Sequence, residues 1–560
     1  MKTNILTLTM TFIIATFICG CGGSLEEKQA ERFITAHLQQ VKPLMIETGL
    51  ASWKAANTGK SEDYDRVSEL QLKIRQIYNS PEDFALVKKL KDSGRIKDIE
   101  LSRQVDCLYN FYLENQIEPE LLKKIVELGT EIEKNFSTFR GTIGGEKVTN
   151  NQIREILKTE TDSRKRKDAW LAGKQVGPMV AADLIELIKL RNQAARDVGF
   201  NNYHILSLTV SELDVAELDD IFDELEELTR EPFARLKADL DRILASNYGI
   251  DVTEIMPWHY HDPFFQEPPL VYELNLDAYY ARRDIKELAV RFYAGIGLDV
   301  ESIIARSDLY EREGKNPHAF CTDIDREGDV RILCNLKNDE QWMGTILHEL
   351  GHGVYDKYHD RKVPYLLREP THIFTTEAIA MFFGRLSKNP AWMQKMLGLS
   401  DEEREKIEKV SSKYARLQQL IFARWVLVMY NFEKELYADP NQDLNRLWWE
   451  MVERYQFVQK PEGRNQPDWA SKIHFTIAPC YYHNYMLGEL LTSQLHHHIV
   501  RNVLNLKSDK GVSYVNQMQV GEFLRKKVFE PGAVYSWNKM IERATGEPLT
   551  PRYFVAEFVK

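Results

Sequence analysis

The stretch ELDVAELDDIFDELEELTREPFARLKADLDRILASNYG, residues 212–249, constrains the fold more than any other feature of the chain. Leu218, Ile221, Leu225 and Leu228 lie at helical spacing on one stripe, and Gly249 supplies a stop. A helix of this length cannot bury its stripe alone, so others must pack on it. They are present. EKQAERFITAHLQQVKPLMIETGLASWKAANTG, residues 27–59, is amphipathic and ends at Gly59. Residues 401–438 turn strongly apolar in their second half, as a helix running into the interior would. The acidic face of 212–249 reads as a solvated surface. No internal repeat, low-complexity tract or Pro/Ser-rich linker interrupts the pattern. The expectation is one large helical unit with few strands. At 560 residues and 43% apolar composition the chain can fill such a core, and 25 Tyr, 25 Phe and 10 Trp exclude disorder. A net charge of −11 without a Lys/Arg block argues against nucleic acid as a partner.

The N-terminus, MKTNILTLTMTFIIATFICGCGG, has one basic residue and then a short apolar run ending at Ile18-Cys19-Gly20-Cys21. This resembles a bacterial lipobox, which predicts a signal peptide over 1–20, lipid on the Cys21 sulfur and a polar tether over 21–30. The expected location is the bacterial cell envelope, at the periplasmic face or the cell surface, with the lipid as the only membrane contact. Export leaves Cys107, Cys321, Cys334 and Cys480, an even number that permits disulfides. Cys321 and Cys334 flank TDIDREGDVRIL, which reads as two short strands around a turn, where either a disulfide or two free thiols would fit. No CxxC suggests a thiolate metal site.

The chemistry begins at TILHELGHGVYDKY, residues 345–358. On a helix His348 and His352 sit one turn apart on one face and can share a zinc ion. Glu349 beside them can take a proton from water that the metal acidifies. HExxH alone is equally compatible with a half-buried helix carrying two surface histidines. Glu377, in REPTHIFTTEAIAMFFGRL, completes a His, His, Glu set with a fourth position open, as a catalytic zinc requires. Glu369 is a rival held in a loop before Pro370. The histidines of WHYHD (His259, His261) and of HHH at 496–498 read as surface or core groups.

These motifs resemble the angiotensin-converting enzyme family of zinc dipeptidyl carboxypeptidases. The likeness extends to ASWKAANTG near the start, NPHAF followed by DVRILC, LWWEMVERYQ, SKIHF and YYHNYMLGELLTSQLHH. These occur in family order over residues ~30 to ~550. The resemblance implies a mainly α peptidase fold over 31–560, with two subdomains around a deep active-site cleft and a small β element. It implies zinc on His348, His352 and Glu377, and Glu349 as general base. Tyr485 and His474 would stabilise the oxyanion. Lys472 and Tyr482, or Tyr481 in its place, would grip the C-terminal carboxylate. His318 and Ala319 would lie on an edge strand that pairs with the substrate backbone. The implied activity is release of C-terminal dipeptides from short peptides, by a monomer.

Departures from the family pattern leave other readings open. The interval from His352 to Glu377 is nearer that of thimet-type oligopeptidases, which would cut short peptides internally. Thr376 and Met381 stand where the family has His and Asp, so the partner that orients a zinc-bound imidazole is missing; Asp356 and Asp323 are candidates. A non-catalytic peptide-binding lipoprotein is the reading from another class, opposed by the intact Glu349 and ligand set. Val452 and Asn484 replace the arginines that bind chloride in animal members, which predicts weak or absent chloride dependence.

Overall fold

Helix starts and stops in this protein follow from local capping chemistry. The structure, a computed structural model, describes residues 24–272 and 275–559. The predicted signal peptide and Cys21 lie outside them. Ser24 opens the first helix, Leu25–Thr58. Its hydroxyl accepts the Glu27 amide while the Glu27 carboxylate accepts the Ser24 amide, which satisfies two otherwise orphaned donors. Gly59 closes the helix at φ 66°. Residues 25–30, expected as tether, therefore form its opening turns, and Ala30 is fully buried. Glu, Lys and Gln suit a solvated helix turn as well as a linker, so composition alone does not separate the two.

The segment at 212–249 forms the helix Val215–Tyr248, capped by the Asp214 side chain and ended by Gly249 at φ 64°. Leu218, Ile221 and Leu225 are buried and Leu228 is half-buried. The helix Asp401–Ala438 starts with a Ser400–Glu403 capping box. Trp425, Val426 and Val428, in its second half, are fully buried. Among the described residues the apolar interior has two principal parts and two small satellites. A main core runs from Ile132 to Phe554, and a smaller seam under the first helices gathers Ala30, Ile34, Val41, Leu101, Val105 and Leu108. The fold is mainly α, as expected. Among the described residues no helix is long and apolar enough to cross a membrane.

Strands among the described residues are confined to two antiparallel pairs. Phe320–Asp323 pairs with Val330–Leu333, the two short strands read from the sequence. The register sets Cys321 opposite Ile332, and Cys321 and Cys334 are free thiols. The hairpin Gly141–Ile143/Glu146–Val148 was not anticipated; it turns through Gly144 and Gly145, both at positive φ.

Candidate active site

The site is made where two helices cross at unusually short range. His348, Glu349 and His352 lie on Glu340–Lys357, capped by the Asp339 side chain and packed into the core through Met343, Ile346, Leu347, Leu350 and Val354. Glu377 lies on Ile373–Gly384. A Cβ added at Gly351, inside the HELGH motif, would stand 2.8 Å from the Ala380 Cα of the second helix. One at Gly384 would stand 3.2 Å from the His348 Cβ. The two glycines let the backbones approach, and that approach brings a carboxylate onto the histidine face.

The result is a three-donor cluster. His348 Nε2 is 3.7 Å and His352 Nε2 3.8 Å from Glu377 Oε2, and the three donor atoms all lie within 4.8 Å of one another. Burial pushes His348 down to about 4. Burial, then the neighbouring His348, pushes His352 to about 3. Both imidazoles are therefore neutral at pH 7, the state in which they ligate a metal. Burial raises Glu377 to about 6. Glu349, 7% exposed, is raised to about 8 by burial and then by the charge of Glu377. One carboxylate and two neutral imidazoles whose donor atoms converge, with the Glu349 carboxyl beside them, are a set that a divalent cation would satisfy, so the residues fit the implied metal.

The orienting partner missing from the sequence reading is Thr376. Its Oγ1 lies 2.7 Å from His352 Nδ1. With the proton on Nδ1 and the threonine oxygen accepting it, Nε2 keeps its lone pair toward Glu377 and His348. Asp323 instead accepts the amides of Asp325 and Arg326, within the turn between its strand and the next. Asp356 is half-buried, and desolvation together with Asp323 drives its carboxyl well above the usual range. Met381 faces another way, against Gly488. Glu369 is taken by Arg326 at 2.6 Å. The remaining histidines are structural: His259 and His261 bond Ser163 and Tyr248, and His496, His497 and His498 each meet an aromatic ring.

Next to the cluster lies a second polar group, carried by the segment 472–485. Lys472 Nζ donates to Gln266 Oε1 at 2.6 Å, and Tyr482 OH donates to the same oxygen at 3.3 Å. Trp425 Nε1 donates to Tyr482 OH at 2.8 Å. Lys472 is 6% exposed, and burial pushes its ammonium down to about 8. Tyr482, not Tyr481, thus stands beside Lys472. Tyr481 packs on Tyr485 with ring centroids 5.2 Å apart, and the charge of Glu377 adds to burial in raising both phenols. His474 packs against Tyr482 with ring centroids 5.1 Å apart and the planes tilted by 56°, and is held neutral by burial and by Lys472. Gln266 was missed in the sequence. Its segment HDPFFQEPP has no periodicity, and only the fold brings it to Lys472. His318 and Ala319 lead directly into Phe320–Asp323, which has one strand partner and a second edge without one among the described residues.

A family model described as Peptidase_M2, angiotensin-converting enzyme, matches residues 24–260 and 268–558. The interruption contains Gln266. Thermostable carboxypeptidase 1 of Pyrococcus furiosus is 25% identical over 272 residues, covering 42% of this chain and 51% of that protein. The chain thus spans about half the length of this curated relative.

Proposed function

The chain belongs to the angiotensin-converting enzyme family of metallopeptidases, and on that footing we propose that it is a zinc peptidyl-dipeptidase, removing dipeptides from the C-termini of short peptides. His348, His352 and Glu377 would hold the metal. Bound zinc supplies Lewis acidity, which acidifies water and polarises a carbonyl. The remaining work falls to the protein. Glu349 takes the proton of the attacking water and delivers it to the leaving amine. The Tyr485 hydroxyl and the neutral His474 ring donate to the oxyanion. Lys472 and Tyr482, with Gln266 beside them, bind the terminal carboxylate. His318 and Ala319 guide the peptide backbone along the free strand edge.

One observation carries the carboxylate anchor on which dipeptide release depends. Lys472 Nζ and Tyr482 OH converge on a single oxygen, Gln266 Oε1, at 2.6 and 3.3 Å. A cation and a hydroxyl donor aimed at one acceptor are what a chain-terminal carboxylate needs. The test is mass spectrometry of products from an N-terminally blocked pentapeptide, with protein lacking residues 1–21, with and without chelator, beside Glu349→Gln. Chelator-sensitive release of the C-terminal dipeptide, lost in the variant, supports the proposal. Internal cuts at varied distances from the end move the enzyme to the thimet-type reading. No cleavage with metal bound leaves a peptide-binding protein. The same proposal places the enzyme, as a monomer, in the bacterial cell envelope through lipid on Cys21. Radiolabelled palmitate incorporation that persists in Cys21→Ser would refute that part.

A further inference from the structure

Two buried ionisable side chains outside the metal and substrate groups hold the segment that carries Lys472, His474, Tyr482 and Tyr485. Arg191, 8% exposed, lies on the helix Val176–Asp197. Its Nη1 donates to the Phe475 carbonyl at 2.8 Å and to Tyr437 OH at 3.2 Å, and its Nη2 donates to the Thr476 carbonyl at 2.7 Å. Glu433, 4% exposed, lies on Asp401–Ala438 and accepts the Cys480 amide at 2.8 Å. Neither residue makes a salt bridge among the described residues. Each directs its polar head at backbone: the Arg191 guanidinium donates charge-assisted bonds, and the Glu433 carboxyl, raised by burial to about 7, accepts through an oxygen in either protonation state. Between the two anchor points the chain leaves the short turn His474–Ile477 and passes Cys480 at φ 53°, a left-handed conformation that a non-glycine residue keeps only when its surroundings impose it. Tyr482 follows two residues later. The helix of Glu433 also supplies Trp425, which aims the Tyr482 hydroxyl. Asn192, next to Arg191, ties its own helix to the same neighbour through the Tyr437 carbonyl at 2.8 Å.

We propose that Arg191 and Glu433 are positioning residues, a two-point backbone clamp that sets the distance between the carboxylate grip at Lys472 and Tyr482 and the oxyanion donors at His474 and Tyr485. The inference rests on the substrate roles proposed above for those four side chains. Burying a guanidinium and a carboxyl to hold three backbone groups is costly for a purpose of stability alone, since apolar packing would serve there. It is economical where a polar constellation must stay within about half an ångström of its working geometry.

The experiment compares wild type with Glu433→Gln, Glu433→Leu and Arg191→Lys. Two quantities are read. One is the ratio of kcat/KM for a blocked pentapeptide with a free C-terminal carboxylate to that for its C-terminal amide. The other is hydrogen exchange of amides 478–485. In Glu433→Leu and Arg191→Lys the ratio should fall about tenfold or more, chiefly through KM for the free acid, with metal content unchanged and exchange faster. Glu433→Gln, whose amide oxygen still accepts the Cys480 N–H, should stay within about threefold of wild type. Unchanged ratio and exchange in Leu and Lys would overturn the clamp, as would a Gln variant that falls as far as Leu. Should Glu433→Leu fail to fold, the Gln and Lys variants decide alone. A wild type that treats acid and amide alike would refute the carboxylate anchor instead. The clamp is then judged by exchange and by kcat, and wild-type values for both in Glu433→Leu and Arg191→Lys would overturn it.

Discussion

Replacing Gly351 with alanine sets two opposing effects against each other, and the structure decides the sign. In a helix interior Gly→Ala is ordinarily stabilising, by about 1 kcal/mol. Here the new methyl carbon would meet the Ala380 Cα at 2.8 Å, the Ile379 carbonyl oxygen at 3.1 Å and the Ala380 nitrogen at 3.2 Å. Carbon atoms in good contact stand about 3.5–4.0 Å apart, so the helices must separate by roughly 0.7 Å or more. The obstacles are backbone atoms and cannot rotate away. Overpacking of this kind costs about 1–3 kcal/mol, which cancels or exceeds the propensity gain. The larger consequence is at the metal. Glu377 lies one turn before Ala380, and its separations of 3.7 and 3.8 Å from the two imidazoles grow with the displacement. A site must be held within about 0.5 Å, so metal affinity should fall tenfold or more. The assay is zinc competition against a chromophoric chelator, with thermal unfolding of the metal-free protein. Gly129→Ala is the control: that residue sits in the helix Pro119–Thr138 with nothing within 4 Å of an added Cβ, and it should stabilise. Gly351→Ala protein that is more stable, like the control, and binds zinc as tightly as wild type would refute the close-crossing argument.

Thr376→Val removes the oxygen at His352 Nδ1 while keeping the shape, and should weaken zinc binding about 10–100-fold; Thr376→Ser should restore most of it, and equal affinities in the competition assay would exclude the threonine as orienting group. Lys472 predicts a pH signature. Burial places its ammonium near 8, so the charge that binds a carboxylate is present below that pH and lost above it. Between pH 7 and 9.5 kcat/KM for a free-acid peptide should fall relative to the C-terminal amide, and a flat ratio would remove Lys472 from carboxylate binding. Chloride should have little effect. Val452 lines a small cavity whose lining lysine, Lys174, is pushed by burial to about 7, and Asn484 is buried with its amide oxygen lacking a hydrogen-bond donor among the described residues. A large rise in peptidase activity on adding chloride would contradict this.

What could be read in the sequence is what one helix encodes by itself. His348, Glu349 and His352 announce their shared face because a helix turn brings residues four apart together whatever surrounds it. The cap at Asp214, the stops at Gly59 and Gly249 and the buried stripe through Leu218, Ile221 and Leu225 follow from the same local rules. Glu377 was within reach because a second helical pattern carried it. Residues 25–30 form helix where a tether was expected: the Ser24–Glu27 capping box that starts it is local, whereas the burial of Ala30 depends on what the helix packs against.

The residues that escaped notice share a different property: each acts on something distant in the chain. Gln266 meets Lys472 across 206 positions, and Arg191 meets Phe475 across 284. Gln266 stands in no periodic pattern, Arg191 falls on the buried stripe of its own helix without showing what it meets there, and the clamp formed by Arg191 and Glu433 binds carbonyls and an amide that every residue possesses. A backbone group has no letter in the sequence, so nothing at Phe475, Thr476 or Cys480 advertises that it is held. Thr376 is the intermediate case. It was visible as a departure from the pattern around Glu377, yet its role depends on the crossing at Gly351 that turns it toward His352. A metal set on facing helices is therefore legible before the groups that tune it, because ligands are specified by side-chain type and their supports by the path of the chain.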